Sequence, residues 1–178
     1  GGVNDALAAA LQLEEVAPLE GGGGIVRTGR LPWPVSVPDF LCAVQEALGA
    51  GGLRCTDGAK PISRVAVGGG ACGEFLWAAA AAGCDAFVTA DVKYNQFLDA
   101  AALGLTLVDA GHFPTEDVVC PVLARYLSER FPELTVRKSA SHREVIQYYM
   151  KGENAMTGHS KWHNIKKNKG AADAKRSQ

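Results

Sequence analysis

The chain has 178 residues, 47% of them hydrophobic and 21% charged, with 21 glycines, 8 prolines and a formal net charge of −1. That balance is globular and excludes a disordered chain, and no apolar run approaches the ~18 residues of a membrane span. The near-neutral total conceals an asymmetry: residues 1–150 hold 11 Lys and Arg against 17 Asp and Glu, residues 151–178 hold 7 against 2.

Asn4 to Leu13 reads as a helix capped by Asn4, with Leu7, Leu11 and Leu13 on its apolar side. A short extended stretch and the turn Gly21–Gly24 follow, and Leu31-Pro-Trp-Pro is extended because residues before proline avoid the helical region. Ser36 caps a second helix to Leu48, with Pro38 in its first turn and Gly49 as its stop. From there the rhythm tightens. Strands are predicted at Leu53–Thr56, Ile62–Val67, Asp85–Thr89, Leu105–Asp109 and Leu134–Arg137. Helices are predicted at Gly73–Ala82, Val92–Ala102 and Pro114–Phe131, the last with an apolar stripe of Val118, Val119, Val122, Leu123, Tyr126 and Leu127. Alternating strands and helices of these lengths predict a layered α/β domain around a mostly parallel sheet, followed by a basic, disordered tail.

The five cysteines, Cys42, Cys55, Cys72, Cys84 and Cys120, are odd in number and form no CxxC pair. They predict a reducing cytoplasm, each serving as a small buried apolar residue. The opening Gly1-Gly-Val-Asn-Asp-Ala-Leu carries neither the basic region nor the cleavage pattern of a secretory signal.

Three strand ends carry candidate chemistry. Gly68-Gly-Gly-Ala-Cys-Gly73 satisfies GxGxxG between a strand and a helix, with Asp91 18 positions after Gly73. It suits a dinucleotide, another anion or simply a tight turn. Asp109-Ala-Gly-His112-Phe-Pro-Thr-Glu116 leaves a buried strand for a helix, where ligand crevices of open α/β sheets lie. His112 and Glu116, four apart, can converge on Zn, Mn or Fe, although Glu116 also suits a helix start and His112 a polar loop. The matching segment after the preceding strand places Asp91, Lys93 and Tyr94 at the same sheet edge as candidate substrate contacts, with helix capping the alternative for Asp91. In the tail, Lys161, Trp162, His163, Lys166, Lys167, Lys169, Lys175 and Arg176 combine cations with an aromatic platform for nucleic acid, or form a solvated cationic segment.

Taken together, Val65-Ala-Val-Gly-Gly-Gly, Ala81-Ala-Gly-Cys-Asp-Ala-Phe-Val-Thr-Ala-Asp-Val-Lys-Tyr-Asn and Leu107-Val-Asp-Ala-Gly-His-Phe-Pro-Thr-Glu resemble the GTP cyclohydrolase I type 2 homologues, dinuclear-metal proteins that assemble as hexameric rings. The resemblance implies that His112 and Glu116 are metal ligands and that the complete site holds two divalent ions, Zn, Mn or Fe. It also implies that the remaining ligands lie in upstream His-His-Pro and His…Asp segments, so that residues 1–152 correspond to the family's C-terminal part. The family has Gly where this chain has Ala90, and commonly His where it has Asn95. Separately, Met156-Thr-Gly-His-Ser-Lys-Trp-His-Asn-Ile-Lys-Lys-Asn-Lys-Gly resembles the start of the YebC-like probable transcriptional regulators, so residues 153–178 read as the beginning of a different protein, joined to the first. The expected function is metal binding in a dinuclear-metal-dependent hydrolase, incomplete in this chain, acting on a small molecule or nucleotide. The alternatives are a non-catalytic metal-binding ring scaffold, nucleic-acid binding through residues 156–178, or a dinucleotide fold. Self-assembly into a hexamer and no membrane association are expected.

Overall fold

The computed structural model describes residues 1–149; the tail, with its expected nucleic-acid contacts and second resemblance, lies outside the described residues. Contacts divide the chain into Gly1–Ile146 and Gln147–Gln178, and the first unit is the one described below. In chain order its elements are α1 (Val3–Ala10), β1 (Glu14–Pro18), β2 (Arg27–Val35), α2 (Val37–Leu48), β3 (Arg54–Cys55), β4 (Ile62–Val67), α3 (Leu76–Ala81, entered by a short 3-10 turn at Gly73–Phe75), β5 (Ala86–Thr89), α4 (Tyr94–Leu103), β6 (Thr106–Asp109), α5 (His112–Asp117) and α6 (Val119–Arg130).

The strands form one six-stranded sheet in the order β1-β2-β4-β5-β6-β3. Two neighbouring pairs, β4–β5 and β5–β6, are parallel; β1–β2, β2–β4 and β6–β3 are antiparallel. The α/β class therefore holds, but the expected mostly parallel sheet is corrected to a mixed one with a parallel centre. Connection length accounts for the two parallel pairs and for β1–β2. A parallel pair needs a crossover of a dozen or more residues, which α3 and α4 supply, whereas β1 and β2 are joined by the short glycine-rich turn and must run antiparallel.

Strand alternation builds a core on each face of the sheet. Val65, Val67, Val88 and Val108 point towards Leu7 of α1 and Phe40 and Val44 of α2. Ala66, Phe87 and Leu107 point the other way, to Leu76 and Ala79 of α3 and Ala100 of α4. The α2 expectation is met in detail: the Ser36 hydroxyl accepts from the Asp39 amide at 3.3 Å, and Gly49 ends the helix at φ +59°.

Three local expectations are corrected. The cap of α1 is Gly2, so Asn4 sits inside the first turn and spends its side chain elsewhere: Nδ2 donates to the Ile25 carbonyl and Oδ1 accepts from the Gly69 amide at 2.7 Å. The long C-terminal helix is broken at Val118 into α5 and α6. Pro121 explains this, since it has no amide to donate to the Asp117 carbonyl and is tolerated only in the first turn of a new helix. Leu134–Arg137 is not a strand. Val136 instead lies beside Leu123 and Leu127 of α6, away from either sheet edge.

The apolar stripe predicted for the last helix exists, but α6 has no buried residue, and Val122, Leu123, Tyr126 and Leu127 all face solvent. Burial of the cysteines is also only partly as expected: Cys72 and Cys84 are buried, Cys42 and Cys55 are exposed, and Cys120 is intermediate, all as free thiols. Among the described residues no helix is long and apolar enough to cross a membrane.

Candidate metal centre

Parallel register brings the C-terminal ends of β4, β5 and β6 to one edge, with Val67 opposite Val88 and Thr89 opposite Asp109. The glycine turn, the Ala90–Lys93 segment and the start of α5 therefore meet there, at the crevice position of open α/β sheets.

Two threonines without solvent exposure fasten these pieces. Thr89 Oγ1 donates to the Gly70 carbonyl at 2.9 Å and accepts from the Cys72 amide at 3.1 Å. Thr115 Oγ1 accepts from the Gly70 amide at 3.0 Å and lies 2.9 Å from the Gly111 and His112 carbonyls. Asp109, buried at the end of β6, accepts from the Val92 amide at 3.0 Å and the Gly111 amide at 3.1 Å, and pairs with Arg54. The amides of Gly69, Gly70 and Cys72 are thus all engaged within the protein. These contacts fit the tight-turn reading of the glycine run.

That turn has a specific reason to be glycine. Gly70 adopts φ +67°, and a Cβ there would lie 2.7 Å from Glu116 Oε1 and 3.2 Å from His112 Nε2. Its bare backbone is the floor on which the two donors rest. His112 and Glu116 are one turn apart on α5, with Nε2 and Oε2 separated by 3.3 Å. The other ring nitrogen, Nδ1, lies 2.6 Å from Asp91 Oδ2. A carboxylate accepts only, so the proton between them sits on Nδ1, and Nε2 becomes the nitrogen available to a ligand. The Asp91 hydrogen bond raises the His112 pKa above its ordinary value, with Glu116 adding to this and burial opposing it.

Asp91 reaches the ring because it holds φ +50°, a left-handed conformation that Asp tolerates better than most residues. Ala90 has no such requirement, and its methyl is fully buried. Of the three candidate substrate contacts, Asp91 is spent on His112. Lys93 and Tyr94 begin α4 exposed, and among the described residues neither side chain has an ion-pair or hydrogen-bond partner. Asn95 is likewise exposed.

The Duf34/NIF3 (NGG1p interacting factor 3) family model matches residues 1–144. The chain belongs to the Duf34/NIF3 family. Curated Duf34/NIF3 relatives named GTP cyclohydrolase 1 type 2 homolog include one from Nostoc sp., 38% identical over 132 residues, covering 71% of this chain and 50% of that protein. Another, from Streptomyces coelicolor, is 37% identical over 139 residues, covering 72% and 49%. The chain thus spans about half the length of these relatives. Among solved structures, protein ybgI is 30% identical with a TM-score of 0.65, covering 72% of this chain and 51% of that one. Staphylococcus aureus protein SA1388 shares the fold at a TM-score of 0.73 and 20% identity, covering 83% and 64%.

A second group of side chains escaped the sequence reading. Asp117, at the end of α5, stands beside Cys120 in α6, and His142 arrives from the segment that follows. His142 Nε2 lies 3.1 Å from Asp117 Oδ1 and 4.0 Å from Cys120 Sγ. Burial and the neighbouring Asp117 carboxylate push the Cys120 thiol up, so it is a poor free nucleophile. The sequence signal was an Asp-x-x-Cys spacing whose third member stands 22 residues away from Cys120, too loose to register. Both groups line one cleft of about 500 Å³.

Proposed function

We propose that this chain supplies one wall of a divalent metal centre in a hydrolase-like protein, with His112 and Glu116 as its ligands. The observation that carries this reading is the shared approach of His112 Nε2 and a Glu116 oxygen above the Gly70 backbone, with Asp91 holding the far side of the ring. One imidazole and one carboxylate suit Zn, Mn or Fe. Such an ion, two of them in the complete centre, would polarise a substrate oxygen or lower the pKa of bound water. Asp91 keeps the imidazole in the tautomer that offers Nε2. Two donors leave coordination positions for groups that are not on α5. Lys93 and Tyr94, exposed at the start of α4, are the residues we propose to contact substrate. The name carried by the relatives supports a nucleotide as the substrate class, and the five free thiols support a reducing cytoplasm.

Elemental analysis of tag-free protein tests the reading, with Cys120→Ser throughout so that no thiolate contributes. Metal should be present in proportion to chain and be lost in His112→Ala and Glu116→Gln. Retention of metal in both variants would overturn it; metal-free folded protein would mean that His112 and Glu116 hold an ion only with donors from outside this chain.

A second reading, a ring scaffold, is favoured by the solvent-facing apolar stripe of α6, since contiguous apolar faces of this kind mark association surfaces. We propose self-association through it, up to the hexamer. Light scattering on the full chain should give a multiple of the 18.7 kDa mass, and Leu123→Glu with Tyr126→Glu should return a monomer. A monomeric parent chain would remove this reading.

A further inference from the structure

We propose that Asp117, Cys120 and His142 form a second divalent-metal site of the zinc class, separate from His112 and Glu116. It goes beyond the function proposed above and does not depend on it.

The geometry favours an ion over the two other uses of such a trio. A Cys-His-Asp relay employs both ring nitrogens, one on the nucleophile and one on the carboxylate. Here the same atom, Nε2 of His142, faces both the Asp117 oxygen at 3.1 Å and the Cys120 sulfur at 4.0 Å. A simple surface cluster, with His142 and the Cys120 thiol both beside the Asp117 carboxylate, is the other alternative, and it does not require sulfur, nitrogen and oxygen to face one point. One sulfur, one nitrogen and one oxygen within 4.8 Å of one another match a common centre. Tetrahedral zinc, with bonds of ~2.0–2.3 Å, spaces its ligand atoms ~3.3–3.6 Å apart, so side-chain adjustment of up to about an ångström closes the shell. Thiolate with imidazole selects zinc over magnesium or calcium.

The surroundings are arranged to suit this. Lys138 pairs with Asp117 Oδ2, which leaves Oδ1 facing His142. The Phe113 ring lies against the imidazole, with centroids 5.0 Å apart, and restricts its orientation. Asp117 and Cys120 are three apart, a spacing that puts side chains side by side on a helical path, and His142 comes in from the segment after α6. The fourth position opens on the cleft.

The test is a cobalt(II) titration of the full tag-free chain under reducing conditions. The thiolate-to-cobalt charge-transfer band reports a Co–S bond, which His112 and Glu116 cannot make. The band should saturate at one equivalent, be displaced by zinc and persist in a His112→Ala/Glu116→Gln variant. It should be absent in Cys120→Ser and weakened at least tenfold in His142→Ala, both at half-exposed positions whose folding circular dichroism verifies. No band in the parent chain, or a band that survives Cys120→Ser, would overturn the proposal. If the site at His112 fails instead, only the thiol-independent cobalt is lost.

Discussion

Replacing Asp109 with alanine is expected to lower stability by about 2–4 kcal/mol, because it strands a buried amide and removes one partner of a charge pair. For a domain of this size that is a fall in Tm of about 5–15 °C. The argument rests on what the carboxylate holds. Oδ2 accepts from the Val92 amide and pairs with Arg54, while Oδ1 accepts from the Gly111 amide. Val92 leads into α4 and Gly111 caps α5, so one side chain ties together the two segments that carry Asp91 and His112. Arg54→Ala should cost far less, about 1 kcal/mol or below, since its guanidinium is 60% exposed and water replaces the lost contact. Asp109→Asn, which keeps an acceptor, should fall between. Urea melts of the three variants check the order; equal losses for Asp109→Ala and Arg54→Ala would show that the ion pair, not the amide contacts, is what matters.

The parts of this architecture readable in advance are those fixed by local physics. Val65, Val67, Val88 and Val108 are buried strand residues whatever their neighbours do, and Ser36 with Gly49 brackets α2 through backbone chemistry alone. Direction of pairing is not local, which is why β2 and β3 entered the sheet antiparallel against expectation. Pro121 was a readable signal passed over in favour of the apolar stripe around it; the stripe was real, but pattern does not say what covers it. In the site, the spacing of His112 and Glu116 announced convergence, because i and i+4 share a helix face. Asp91 was expected at this edge as a substrate contact; its contact with His112 was not legible, because it depends on a left-handed backbone that turns the carboxylate towards α5. The i,i+3 spacing of Asp117 and Cys120 was readable as adjacency, but the arrival of His142, 22 residues on, depends on the path of the returning chain.

Gly70→Ala separates backbone strain from site geometry. At φ +67° an alanine costs about 1–2 kcal/mol. Its methyl would also stand 2.7 Å from Glu116 Oε1 and 3.2 Å from His112 Nε2. Both side chains are half exposed and can swing aside, so the fold survives while the two donors are pushed apart. Metal affinity should fall on the order of 10–100-fold, as when groups that orient a ligand are lost. Gly49→Ala provides the matched comparison: its φ is +59° and nothing lies within 4 Å of the added carbon. It should show a similar stability loss with unchanged metal affinity. Chelator competition in the Cys120→Ser background measures affinity, and urea melts measure strain. Equal affinity in both alanine variants would mean that the donors do not meet above Gly70, and would withdraw the central support for a metal held by His112 and Glu116.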